Sequence, residues 1–310
     1  MNKIMKMLVK IVTMMICTLS VACGKELQVK VVGEDGKPVE NAEVVVSYIG
    51  YGPPTRINGE TDQNGVFVSQ SEAPKLRIEL EVSKAGYYKS LFRHQLGNSL
   101  VKDTEGEYKL ILRKIVKPVA MYAKKVNMVF PALGEEYGFD FEAGDWVKPH
   151  GKGNRADVFF LAEKTFKDMF RYKGTVTARF SGKKDGLLID PTKIPGSVFL
   201  SAKKAPLEDV YTQSSQIMRG KFADKNELNT PLHNYVFRAR SEVRGKEIVK
   251  ANYGRILGGM FVAAGSNDPN AIAVRFSYYF NPEVNDTSLE FARRENLFKN
   301  LKQMEHVTHP

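Results

Sequence analysis

The chain is short of cysteine, and that shortage excludes most. Its 310 residues hold two, Cys17 and Cys23. Both lie near the N-terminus, so nothing downstream can build a disulfide framework or supply a thiol nucleophile or thiolate metal ligand. A chain this long needs no such staple, because it can bury one or two ordinary cores. Tryptophan occurs once, as Trp146. The five histidines (His94, His150, His233, His306 and His309) form no H-E-x-x-H or H-x-H pair, so no metal site is assigned. A G-x-S-x-G elbow is missing. Gly151-Lys152-Gly153 is too short for the G-x-x-x-x-G-K-[ST] phosphate loop. Pairs such as Glu135-Glu136 and Asp140 with Glu142 are what chance provides among 35 acidic residues. Glycosidase chemistry is in any case defined by the spatial separation of its two carboxylates. Heptads, low-complexity tracts and internal repeats are absent as well. No catalytic residue and no cofactor follow from the sequence.

Long apolar runs are also lacking. The one at residues 11–19, interrupted by Thr13 and Thr18, is shorter than the ~20 residues that span a bilayer. Lys3, Lys6 and Lys10 precede it, and Ser20-Val21-Ala22 follows as a small-x-small cleavage region. This is the layout of a secretory signal over residues 1–22. Leu19-Ser20-Val21-Ala22-Cys23-Gly24 resembles the lipobox of bacterial lipoproteins, with Leu19 one position further from the cysteine than the family places it. The resemblance implies that Cys23 is lipidated and that palmitate and diacylglycerol chains anchor the protein, since one chain alone holds only marginally. By the same resemblance, Gly24 and Lys25 in place of Asp after Cys23 imply the cell outer membrane. Cleavage without lipidation gives the alternative, a secreted or periplasmic soluble protein.

Negative charge is the scarcer sign: 46 Lys and Arg against 35 Asp and Glu give +11. Loss of Lys3, Lys6 and Lys10 with the signal leaves +8. For an exported chain this excess favours anionic glycans or lipid head groups as partners, and not nucleic acid. The lysines are scattered, so a solvated basic surface without any partner explains them too.

What the chain has in quantity is short alternating runs. Leu27, Val29 and Val31 alternate with polar residues, as do Val44, Val46 and Tyr48, then Leu76, Ile78, Leu80 and Val82. Thr61-Asp62-Gln63-Asn64-Gly65 is the strongest turn signal. Short strands separated by turns predict a β-sandwich. Gly36-Lys37-Pro38-Val39-Glu40-Asn41-Ala42-Glu43-Val44, Thr61-Asp62-Gln63-Asn64-Gly65-Val66-Phe67 and Lys84-Ala85-Gly86-Tyr87 together resemble carboxypeptidase regulatory-like domains. That resemblance implies a transthyretin-like Greek-key sandwich of about seven strands over residues 23–114. It carries over no catalytic residue. Asp62 invites a calcium-loop reading, but the twelfth position, which needs Glu, is Ala73.

Residues 115–310 continue the β pattern without resembling a family. Val126, Met128 and Phe130 alternate, residues 157–161 read as a buried strand, and residues 242–249 read as a hairpin. Ile272, Val274, Phe276, Tyr278 and Phe280 form the longest alternating face. Arg238 and Arg240 stand on the opposite face of their strand from Phe237 and Ala239. Gly258-Gly259 reads as a tight loop. A second sandwich or open barrel follows, making the fold all-β with two domains. Leu297, Leu301 and Met304 predict a short C-terminal helix ahead of a frayed tail, and residues 207–218 predict another turn or two.

The richest loop is residues 144–154. It gathers Trp146, Lys148, His150 and Lys152. As a candidate ligand-binding loop, it would offer Trp146 as a stacking platform for a sugar ring and the three basic residues for an anionic group. The alternative is an ordered surface loop with Trp146 plugging the core edge. These features predict a non-enzymatic membrane-anchored lipoprotein of the cell envelope that binds a glycan polymer or a protein partner. A structural component of an envelope complex, or an envelope glycan or peptide hydrolase with an unrecognised site, are the alternatives.

Overall fold

The computed structural model describes residues 26–70, 77–95, 106–168, 170–222, 225–264 and 268–310. Cys23 and the signal lie outside the described residues, as does Leu76. Two compact units divide the chain: Met1–Lys114 with Pro195–Ser197, and Ile115–Ile194 with Val198–Pro310. The fold is all-β. Among the described residues there is no α-helix, and none long and apolar enough to cross a membrane.

The first unit contains Glu26–Gly33 (β1), Glu43–Ile49 (β2), Thr55–Glu60 (β3), Val66–Gln70 (β4), Arg77–Ser83 (β5), Tyr87–Tyr88 (β6), Ser90–Gln95 (β7) and Gly106–Lys114 (β8). They form two four-stranded sheets, ordered β4-β1-β8-β6 and β3-β2-β5-β7. β6 and β7 are nearly continuous in sequence yet pair in different sheets, so this run serves both. Inward-facing Leu27, Val29, Val31, Val44, Val46, Ile78, Leu80 and Val82 are buried between the sheets. Their i, i+2 spacing is what a two-sided strand requires.

Two of the sequence motifs interlock here. Asp62 Oδ1 accepts from the backbone N–H of Asn64 (2.9 Å) and of Val66 (2.8 Å). Asn64 and Val66 are thereby tied into an Asx-type turn. Thr61 Oγ1 donates to the Val39 carbonyl and accepts from the Ala42 N–H at 2.9 Å. Gly65 has φ +73, and a Cβ there would stand 2.4 Å from the Val31 carbonyl oxygen. Only glycine fits that approach.

The second unit contains Val119–Val129 (β9), Glu136–Asp140 (β10), Asp145–Trp146 (β11), Val158–Asp168 (β12), Arg171–Phe180 (β13), Gly186–Ile189 (β14), Ser214–Phe222 (β15), Lys225–Asn229 (β16), Tyr235–Arg244 (β17), Glu247–Ala263 (β18), Ala273–Asn281 (β19) and Phe291–Asn296 (β20). Two six-stranded sheets run β11-β10-β12-β13-β15-β16 and β14-β17-β18-β19-β9-β20. A core rich in aromatic rings lies between them. Phe141 and Phe237 stack at 4.5 Å, and Phe139 meets Phe276 and Tyr278 edge-on. Offset and edge-to-face pairs of this kind add to the gain from burial.

Four expectations fail in this unit, each for a physical reason. Gly258-Gly259 is a bulge within β18, where the ladder skips from Leu257 to Met260 and both glycines have positive φ. Residues 207–218 are loop running into β15. The loop's Leu207 and Glu208 carbonyls accept from Arg238, which is 0% exposed, and Asp209 pairs with it at 3.1 Å. Those carbonyls point at a buried guanidinium rather than along a helix axis. The C-terminal helix is a single 3-10 turn, Gln303–Glu305, with Met304 89% exposed. The tail beyond it is docked. Tyr279 donates to the His309 carbonyl at 3.1 Å, and buried Arg255 donates to the Pro310 carbonyl and to Ser201 Oγ. The β9/β18/β19 sheet is therefore covered on the face opposite the main core, where Tyr279, Leu257, Met121 and Phe291 form a second apolar layer.

Candidate functional site

Loop 144–154 begins at a hairpin between β10 and β11. Asp140 is its organiser. Oδ1 accepts from the N–H groups of Glu142 (2.9 Å) and Ala143 (3.2 Å). Oδ2 accepts from Asn154 (3.0 Å) and Arg155 (3.2 Å), so one carboxylate ties both ends of the loop. Asp145 braces the middle through the N–H groups of Trp146 (2.9 Å) and Lys152 (3.1 Å). The backbone crosses over itself at Lys148 N to Gly153 O (3.0 Å) and Gly153 N to Trp146 O (2.9 Å). Gly151 permits this, since a Cβ there would meet the Trp146 carbonyl at 2.3 Å.

Beneath the loop lies a buried ion cluster. Arg240 donates to both oxygens of Asp157 at 2.7 and 2.9 Å and also reaches Glu142 and Asp140. Its guanidinium lies 4.8 Å over Phe280. The sequence places Arg240 on a wet strand face. Instead it is on a β17 irregularity at φ +59, and the register shift after Ala239 turns it inward. Burial pushes the Asp157 carboxyl up, against the hydrogen bond from Arg240 that favours its charged form. Arg240 is held above its usual range, because its bonds to Asp157 outweigh the burial that opposes charge. The cluster is a structural anchor: Asp157 Oδ2 also accepts from the Phe141 N–H at 2.9 Å.

The predicted residues separate on this frame. Trp146 is 4% exposed and packs among Phe130, Tyr137, Phe139 and Phe160. Its Nε1 donates to the Val129 carbonyl at 3.2 Å. No face of the ring is open for a sugar to stack on, so the platform role is corrected: Trp146 holds the loop to the core. Lys148, His150 and Lys152 are all exposed. Lys148 Nζ donates to Asn154 Oδ1 at 2.9 Å, a neutral partner that leaves its charge available. His150 sets its ring edge-on to Tyr137 at 4.9 Å. Arg155, which motif reading passed over, follows directly and is exposed. Its backbone is fixed by the same Asp140 oxygen as Asn154.

The first unit has a cavity of about 620 Å³ across the outer face of the β3-β2-β5-β7 sheet. Short Val45 and Ser47 make its floor, and Arg56, Glu79, Glu81 and Arg93 flank it. Glu79 pairs with Arg93 at 2.7 Å and Arg77 at 3.1 Å, while Glu81 pairs with Lys89. Its charges thus largely neutralise one another.

No family model matches the chain, and no curated protein matches it significantly. Among solved structures it is similar to a 3-chlorocatechol 1,2-dioxygenase from Rhodococcus opacus, at 17% identity and TM-score 0.23 over 30% of this chain and 60% of that one. It is similar to a shaft pilin from Lactobacillus rhamnosus, at 10% identity and TM-score 0.23 over 74% and 92% of the two chains. A third is a DUF3823 family protein from Parabacteroides merdae, at 10% identity and TM-score 0.21 over 81% and 97%. At such scores these likenesses bring no activity, ligand or partner to this chain.

Proposed function

We propose that this protein is a non-enzymatic lipoprotein of the cell envelope, anchored at the outer membrane through lipidated Cys23, that binds an anionic glycan. The observation carrying the reading is the braced loop 144–154, which presents Lys148, His150 and Lys152 outward on a frame fixed by Asp140, Asp145 and Trp146. A preorganised cationic surface spends little ordering entropy on binding, and the net positive charge raises the local concentration of an acidic polymer. The anchor rests on the N-terminal signal pattern.

Substituting Trp146 would test folding rather than binding. The informative variant is Lys148→Gln with His150→Gln and Lys152→Gln. Binding to immobilised polygalacturonate should fall about tenfold or more and weaken steeply with salt, while thermal stability stays within a few degrees. Equal retention on neutral dextran, or unchanged binding by the triple variant, would sink the glycan reading. Radiolabelled palmitate should enter the wild-type chain and not Cys23→Ala; an unlabelled, freely soluble wild type would remove the anchor. Co-purification of a fixed protein partner without glycan binding would favour the assembly role.

A further inference from the structure

A second cavity, of about 400 Å³, opens in the second unit, and no motif pointed to it. Tyr172 and Arg219 come to it from β13 and β15 of one sheet. Val129, Phe261 and Arg275 come from β9, β18 and β19 of the other, and Ile272 and three alanines complete the wall. None of the described residues lining it is acidic. The Arg219 guanidinium lies 4.2 Å over the Phe261 ring. Its Nε is shielded from water and has no hydrogen-bond partner among the described residues. Arg275 stands directly opposite Phe261 in the β18/β19 ladder. Its Nε donates to Asn127 Oδ1 at 2.9 Å, which orients the guanidinium through a neutral partner. Lys164 Nζ donates to the carbonyls of Ala271 and Asp268 at 3.0 and 2.7 Å, which braces the chain behind the wall.

This arrangement is unlike the ion cluster at Arg240, where every guanidinium nitrogen finds a carboxylate. A buried donor with no acceptor costs free energy, and a rotation of the Arg219 side chain that brings its guanidinium onto a ligand oxygen would recover it. Guanidinium forks match a carboxylate in geometry and charge. The volume falls in the range of small-ligand sites, which are mostly apolar with a few convergent polar groups. We propose that this cavity binds a compact ring-bearing carboxylate. The carboxylate accepts from Arg219 and Arg275, and the ring lies against Phe261 and the alanines. The site is independent of loop 144–154 and stands whether or not that loop binds glycan.

Two sources share this chemistry, a free alicyclic acid and the uronate unit of an acidic glycan. Titration calorimetry of the purified protein with cyclohexanecarboxylate, glucuronate and the neutral cyclohexanecarboxamide separates them. Trp146 fluorescence gives a parallel signal, because its Nε1 is bonded to the carbonyl of cavity residue Val129. At least one of the two acids should bind saturably, and whichever binds more tightly names the source. The amide should bind about 10–100-fold more weakly than cyclohexanecarboxylate, or not measurably if glucuronate is the preferred acid. Arg219→Gln and Arg275→Gln should each weaken acid binding about tenfold or more. Arg179→Gln, which removes a surface partner of Glu136, should not. Arg275 is exposed, so its variant remains informative if Arg219→Gln fails to fold. Saturable binding by neither acid, amide binding as tight as the acids, or acid affinity unchanged in Arg275→Gln would overturn the proposal.

Discussion

At the residue scale, the side chains that matter most are charged ones that no hydrophobic pattern would bury. Arg238 and Arg255 are fully buried, and Arg240 nearly so. Arg238 and Arg240 are enclosed by acceptors, which is the condition for a charge to leave water. Arg255 donates to Ser201 Oγ and the Pro310 carbonyl, with Phe199 and Tyr279 against its guanidinium. Removing one partner of such a pair strands the other. Arg240→Met should therefore destabilise the second unit by about 3–5 kcal/mol in urea titration, because Asp157 is left buried and uncompensated. The double variant Arg240→Met with Asp157→Asn should recover part of that loss. If the double variant is no more stable than Arg240→Met, the pair is not the source of the effect.

At the element scale, alternation locates strands and misjudges their outer faces. The run from Val274 to Phe280 lies in β19, as its period predicts, but its other face is wet only in part: Arg275 is exposed, whereas Tyr279 is buried beneath the C-terminal segment. That segment carries spacing that suits a helix, yet Arg255 and Tyr279 take its last carbonyls in an extended form. Deleting residues 306–310 should expose Arg255 and lower the thermal midpoint by several degrees, about 1–3 kcal/mol for the lost buried hydrogen bonds. An unchanged midpoint would mean that the strap adds nothing to stability.

At the scale of the whole molecule, carboxylates fixed by donors set the acid limit. Hydrogen bonds hold several of them below their usual range, among them Asp62 by the Val66 N–H, Glu136 by Arg179, Asp168 by Arg171 and Asp209 by Lys184. In the folded chain these groups bind protons less readily than in the unfolded one. Their contribution is present above the unfolded values of about 4 and is lost as pH falls through the lower folded values. The thermal midpoint should be flat from pH 7 to about 5 and fall below about pH 4. Asp157, raised by burial, titrates in the opposite sense and offsets part of that fall. A midpoint that rises on acidification to pH 3 would contradict the assignment.

The sequence by itself determined the all-β class and the turn chemistry. Period-two alternation and residues such as Asn64-Gly65 act over a few positions, where local sterics and solvation decide the outcome. It also placed Lys148, His150 and Lys152 together, because they are neighbours along one loop. Only the tertiary structure decided that Trp146 faces inward, that Arg238, Arg240 and Arg255 are buried, and that Arg219, Phe261 and Arg275 share a cavity. Those three come from separate strands, and burial depends on which distant loop covers a face. Local pattern holds no record of either, since the contacts form only when the sheets pack.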